Sequence, residues 1–269
     1  MPIEPQTEIR VFNQEAFHTL DRRVLGVIFE VHNKFGRFLD ELLFKREIAA
    51  RCLERGISPA EREVAIRVSH DGFAKDYFMD LLFSHGLMVE VKTVEKLGPA
   101  HRKQALDYLF LTGMQHGRLV NLRTNQVEHE FVSTKLTVER RRAFSVVDNE
   151  WRDVNTESAW LKDKLVELLQ DWGAFLEVSL YREAITWFLG GPSVVCRPVP
   201  VLSGSKSIGN QVVHLLTDDT AFAFTAVTAS RDPMRAHQLL FLRHTPLKCI
   251  QWVNFNRHRI EFSTLTKDK

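Results

Sequence analysis

Two carboxylates and an ammonium lie close together in the stretch Asp80-Leu-Leu-Phe-Ser-His-Gly-Leu-Met-Val-Glu90-Val-Lys92. The apolar runs on either side of Ser84-His85-Gly86 read as two strands joined by a three-residue turn, so Phe83 faces Leu87 and, in register, Asp80 faces Glu90. Facing residues of an antiparallel pair have Cβ atoms about 5 Å apart, and Lys92 points to the same side as Glu90. Such a cluster suits a hard divalent cation. Asp80 and Glu90 supply oxygen ligands, the Val91 carbonyl is a third candidate, and Lys92 stands where it can hold a water or offset charge on a phosphate. Metal-assisted hydrolysis of a phosphodiester needs those parts. The competing reading is a cross-strand acid pair relieved by a lysine on a solvated face.

Two helices could complete such a site. Gly36-Arg-Phe-Leu-Asp-Glu41-Leu-Leu-Phe44 begins an amphipathic helix expected to run to about Arg55, with Gly56 as its stop and Asp40 and Glu41 in its first turn. A carboxylate there also favours the helix dipole, so Glu41 has a structural reading beside the chemical one. Pro99-Ala-His-Arg-Lys-Gln104-Ala-Leu-Asp-Tyr108 begins another helix, with Gln104 and Tyr108 one turn apart on one face.

In this order the residues resemble the PD-(D/E)XK nuclease superfamily, and within it the RecB-like branch and the small bacterial family named GxxExxY. Gly36, Glu41 and Phe44 correspond to its glycine, glutamate and aromatic. Asp80 corresponds to its metal-binding aspartate, Glu90-Val91-Lys92 to its E-x-K, and Gln104 to Tyr108 to its Q-x-x-x-Y. His32 matches a histidine common in that family. The resemblance covers roughly residues 15–133. It departs from the family at Phe44, where tyrosine is usual, and in lacking the glycine-proline-glycine form. What it implies is a Mg²⁺- or Mn²⁺-dependent nuclease acting on DNA. Asp80, Glu90, Val91 and Glu41 would hold the metal, with Glu41 approaching directly or through water. Asp80, Glu90, Lys92, Glu41 and Gln104 would be catalytic, Gln104 orienting Lys92 or the phosphate. Tyr108, Arg102 and Lys103 are placed at the substrate, His32 in contact with Glu41, and His85 and His101 near the mouth. The alternative is a nucleic-acid- or protein-binding module of the same fold with little or no turnover.

The composition bounds these readings. The 269 residues, 44% of them hydrophobic, suffice for two ordinary domains with proper cores. With 36 basic and 34 acidic residues the net charge is only +2, so any contact with nucleic acid must be local. Arg140-Arg141-Arg142, Arg102-Lys103 and Arg257-His258-Arg259 are the candidate patches, although short basic runs are usually solvated surface. Cys52, Cys196 and Cys249 are odd in number and far apart, which excludes a simple disulfide framework and a C-x-x-C metal site. With no hydrophobic signal region and no apolar stretch of about 18 residues, the expected setting is the cytoplasm, without a membrane partner.

The chain also resembles itself. Gly36-Arg-Phe-Leu-Asp-Glu-Leu-Leu-Phe-Lys recurs as Gly173-Ala-Phe-Leu-Glu-Val-Ser-Leu-Tyr-Arg at an offset of 137. Val89-Glu-Val-Lys-Thr aligns with Phe224-Thr-Ala-Val-Thr at 135, Leu119-Val-Asn-Leu with Trp252-Val-Asn-Phe at 133, and Glu130-Phe131 with Glu261-Phe262 at 131. On this alignment Glu41 becomes Val178, Asp80 falls opposite Leu215, Glu90 opposite Thr225, Lys92 opposite Val227 and Gln104 opposite His237. The apolar frame is kept and the chemistry lost.

The expected architecture is therefore α/β: tandem restriction-endonuclease-like αβββαβ domains, each a mixed sheet flanked by helices. The boundaries read as a nuclease-like domain at 1–135, a polar linker at 136–155 in which Phe144–Val147 could form a short crossing strand, and a degenerate copy at 156–269. The fused copy would make an intramolecular pseudo-dimer, and a homodimer is the further option.

Overall fold

The computed structural model describes residues 2–267. They form two compact units, Met1–Val138 and Glu139–Lys269.

In the first unit, strand β1 (Ile3–Pro5) precedes helix α1 (Gln14–Phe35), α2 (Glu41–Glu54), β2 (Ala60–His70), β3 (Phe73–Phe83), β4 (Leu87–Lys92), α3 (Pro99–Thr112), β5 (His116–Asn121) and β6 (Glu128–Ser133). The six strands lie in chain order in one sheet. All neighbours are antiparallel except β4 and β5, which are parallel and joined through α3.

Helix spacing explains α1. Phe17, Val24, Val27, Ile28 and Val31 fall on one face and are buried. Asn13 caps its start by accepting the Ala16 amide at 2.8 Å. At its end Gly36, with φ of 70°, donates its amide to the His32 carbonyl and turns the chain into the left-handed region that suits glycine. The second helix begins at Glu41, five residues after the glycine with which the sequence expectation began it, because residues 36–40 form the turn. Phe44, Ile48 and Cys52 are its buried stripe.

These helices cover one sheet face. Their core includes Leu81, Phe83, Leu87, Val89 and Val91. Strand alternation therefore turns Asp80, Leu82, Met88, Glu90 and Lys92 to the other face. The hairpin has the expected register, Phe83 opposite Leu87. Ser84 and His85 take positive φ in the turn, and the Gly86 amide donates to the Phe83 carbonyl at 3.0 Å.

Helix α4 (Val138–Arg142) begins at the boundary, and the second unit continues with β7 (Ser145–Glu150), α5 (Thr156–Trp172), α6 (Val178–Phe188), α7 (Pro192–Val195), β8 (Cys196–Ser203), β9 (Lys206–Leu215), β10 (Thr220–Thr225), α8 (Arg231–Arg243), β11 (Cys249–Asn256) and β12 (Arg259–Thr266). Its sheet order is β7-β12-β11-β10-β9-β8. From β8 to β12 the directions repeat those from β2 to β6, including one parallel pair, β10 with β11, joined through a helix. The sixth strand differs. In the first unit β1 extends the β2 edge, whereas β7 runs parallel to β12 at the opposite edge.

The stretch expected to be a linker, 136–155, is thus corrected: it holds α4 and β7, and β7 is an integral strand of the second sheet. Its polar composition misled because an edge strand has an exposed side. Otherwise the architecture is the one expected, two mixed six-stranded sheets flanked by helices. Among the described residues no helix is long and apolar enough to cross a membrane.

Candidate metal and phosphate site

The strands β3 and β4 pair as far as Leu81 opposite Val89. At the next position, where Asp80 and Glu90 stand, the Asp80 side chain enters the ladder and its Oδ2 accepts the Val91 amide at 2.8 Å. The pair parts there and both acids remain on one face. Asp80 and Glu90 are buried, with 6% and 1% exposure. Lys92 Nζ donates to Glu90 Oε1 at 2.6 Å.

Burial pushes the Glu90 carboxyl up to about 8, the charge on Asp80 adds to the push, and Lys92 opposes it. For Lys92, burial disfavours the ammonium, but Glu90 together with Asp80 and Glu41 outweighs burial and holds the group above its ordinary value. Glu41 also acts on Glu90 and Lys92, so the first turn of α2 faces the same site.

Sequence reasoning missed Lys45. One turn beyond Glu41, it is almost wholly buried, and its Nζ donates to Asp80 Oδ1 at 2.9 Å, to Glu63 and, more weakly, to Glu41 at 3.4 Å. Burial works against its charge, yet Glu63 and Asp80 more than compensate and raise it. Glu63 was missed as well. It falls between the Arg62–Leu81 and Val64–Met79 pairs of β2 and β3, where the pairing skips both Glu63 and Asp80, and its φ of 51° interrupts the otherwise extended strand. A lysine on the apolar stripe of a helix is an unusual sign, because a buried ammonium needs carboxylate partners. That signal was available at Lys45.

The remaining expected residues fall as follows. Gln104 donates Nε2 to the Tyr108 hydroxyl at 3.1 Å rather than orienting Lys92. Tyr108 is buried; burial, then the charge on Glu90, holds its hydroxyl above its ordinary value, so it packs beside the acid instead of meeting a macromolecule. Arg102 pairs with Glu130, and exposed Lys103 lies 4.0 Å from Asp107. His32 is buried and bonds the Thr124 carbonyl at 3.1 Å, which replaces the expected contact with Glu41. His101 Nδ1 accepts the Gly98 amide at 3.0 Å, while His85 lies between Glu61 and Glu8.

The residues fit a hard divalent cation on two observations. The donors are buried carboxylate oxygens, and Glu90 Oε2 has no hydrogen-bond partner among the described residues. A buried carboxylate oxygen without a partner is costly unless a cation satisfies it.

The second unit allows a position-by-position comparison. Asn121, opposite Lys92 in the parallel pair, donates to the Val94 carbonyl and Glu128 and accepts the Val94 amide. Asn254, opposite Thr225, does the same with Val227 and Glu261. This fixes Thr225 at the place of Lys92 and Ala223 at that of Glu90. Through the β9 to β10 register, Val213 takes the place of Asp80. The counterparts expected from sequence, Thr225 for Glu90, Val227 for Lys92 and Leu215 for Asp80, were therefore shifted. Val213 and Ala223 pack against an apolar cluster with Leu215, Leu242 and Trp252, and the Thr225 hydroxyl accepts the indole of Trp252 at 2.9 Å. Core residues take the places of the acids.

Among known proteins, one family model falls on the first unit. A family model described as the PD-(D/E)XK nuclease superfamily matches residues 18–134, which include Glu41, Asp80, Glu90, Lys92 and Gln104. A nuclease-type fold is thereby supported for this unit. The solved structure of SSO0001 is similar to part of the chain at 18% identity, covering 42% of this chain and 66% of that one, with a TM-score of 0.26. No curated protein matches.

Proposed function

We propose that the chain is a metal-dependent nuclease that hydrolyses phosphodiester bonds in DNA, with its active site only in the first unit. The observation that carries this reading is the buried Asp80-Glu90-Lys92 group, in which Glu90 keeps an oxygen without a partner. A divalent ion, Mg²⁺ or Mn²⁺, would supply Lewis-acid charge at the phosphate and acidify a water. Asp80 and Glu90, with the Val91 carbonyl and Glu41, would hold it. Lys92 places its ammonium beside Glu90, where it can orient a water or offset phosphate charge. Lys45 holds Asp80 in place. Gln104 and Tyr108 support the wall behind Glu90.

Within the superfamily, the sequence of Gly36, Glu41, Asp80, Glu90-Val-Lys92 and Gln104 favours the RecB-like branch and the GxxExxY family. The second unit is read as a duplicated copy whose acids were replaced by core residues, giving an intramolecular pseudo-dimer. The matching bonds of Asn121 and Asn254 support that origin. The cytoplasm remains the proposed setting.

The second reading is a binding module with little turnover. It is favoured by Lys45, which already neutralises Asp80. Incubation of purified protein with single-stranded and duplex DNA, with Mg²⁺ or Mn²⁺, against Asp80→Ala and Lys92→Ala decides between them. Metal-dependent cleavage lost in both variants supports the nuclease. Metal and DNA binding without cleavage supports the module, and identical products from all three proteins remove the nuclease reading.

A further inference from the structure

Phe38 has an unusual position on this surface. It is 73% exposed, more than the other exposed large hydrophobic side chains of the described residues. Scattered exposed apolar residues are ordinary and need no explanation by themselves. Here, however, two guanidinium groups from separate parts of the chain lie over the ring, Arg37 at 4.9 Å and Arg123 at 6.0 Å. Among the described residues neither guanidinium has a carboxylate partner.

The fold carries this group to the start of α2 and the end of β4. The next residue, Leu39, packs into the core beneath α1 and α2, which holds the short turn down and leaves Phe38 outside. Glu41 follows three residues later at the start of α2. Arg123 comes just after β5, where the Leu122 amide donates to the Lys92 carbonyl at 2.8 Å and the Arg123 amide donates to Asn121 at 3.3 Å. His32 holds the Thr124 carbonyl and so ties that turn to the end of α1. The ring and both guanidinium groups thus stand at the end of the sheet where Lys92 and Glu41 open.

We propose that Phe38, Arg37 and Arg123 form a substrate-docking platform on which an unpaired nucleobase stacks while its flanking phosphates meet the two arginines. The inference rests on the nuclease reading of the neighbouring site and narrows its substrate to nucleic acid with a single-stranded segment. An exposed aromatic face accepts any unpaired base, and the free guanidinium groups complement the phosphates. In a continuous duplex the bases are stacked on one another and present no free face to the ring.

The test is fluorescence anisotropy with a labelled oligothymidine and, separately, a blunt DNA duplex, with Ca²⁺ in place of Mg²⁺ to limit cleavage. The proteins are the full chain and its Phe38→Ala, Phe38→Trp and Arg123→Ala variants. Phe38→Ala should weaken oligothymidine binding about tenfold, the scale of one lost stacking contact, and leave duplex binding within about twofold. Phe38→Trp should restore it, and Arg123→Ala should weaken it with a smaller dependence on salt. Unchanged oligothymidine binding in Phe38→Ala overturns the platform, as does an equal loss for strand and duplex. If the unaltered protein binds neither DNA, the nucleic-acid reading of the site fails with it. Calorimetry with Mn²⁺ separates the cases, because the platform's failure alone leaves ion binding at Asp80 and Glu90 intact.

Discussion

The Lys45 ammonium lies 2.9 Å from Asp80 Oδ1, while the other oxygen of that carboxylate takes the Val91 amide at 2.8 Å. One buried aspartate thereby joins a helix to the point at which two strands part. Each of its two oxygens is held by a donor.

Lys45→Met should consequently destabilise the first unit by about 3 kcal/mol, the lower end of the range for breaking a buried pair, since Glu63 is half exposed. Urea titration measures the loss. Added Mn²⁺ should recover part of it by neutralising Asp80. A variant as stable as the parent would show that the ammonium is dispensable.

Glu90 sets a pH dependence. Burial, aided by Asp80, raises its folded value to about 8 from an ordinary 4.5. A carboxyl raised on folding contributes stability that is fully present below about 4.5 and is lost as pH rises through about 8. A cation favours the ionised form. Ion binding should therefore release a proton below about pH 8 and tighten as pH rises toward that value. Calorimetry in buffers of different ionisation enthalpy reads the released proton, and Glu90→Gln should abolish it.

Lys92→Ala and Asp80→Ala should fail differently. Loss of Lys92 removes charge at the phosphate, with cleavage falling about 10²- to 10³-fold while Mn²⁺ still binds. Loss of Asp80 should remove ion binding itself. Parallel titrations and cleavage rates distinguish the two, and equal ion binding in both variants would contradict the assigned roles.

Asn121 and Asn254 make a matched pair for mutation. Both are buried, and replacement by Ala should cost each unit about 2 kcal/mol by stranding backbone partners at Val94 or Val227. Asn121→Ala should also lower cleavage, because Asn121 borders Lys92. Asn254→Ala should leave cleavage unchanged. A loss of cleavage in Asn254→Ala would point to chemistry in the second unit.

Local chemistry made much of this legible. The period of Phe17, Val24, Ile28 and Val31 marks α1, and the apolar runs around Ser84-His85-Gly86 mark the hairpin with its register. The register in turn sets Asp80, Glu90 and Lys92 on one face, since strand alternation is a property of the chain itself. The recurrence of Gly36-Arg-Phe-Leu at Gly173-Ala-Phe-Leu is likewise legible in the chain itself.

Long-range contacts decided the rest. Lys45 and Glu63 joined the site because residues 45, 63 and 80 meet only when α2, β2 and β3 pack together, and no spacing along the chain encodes that meeting. The counterparts of Glu90 and Lys92 in the second unit depended on which residue faces Asn254 across a parallel pair. The 145–150 strand, legible in sequence only as a short crossing strand at 144–147, took its place in the second sheet through its pairing with β12, because an edge strand is polar enough to pass for a linker. Sequence thus determined what was local and periodic; tertiary structure decided which distant charges share a buried space, where each must find a partner.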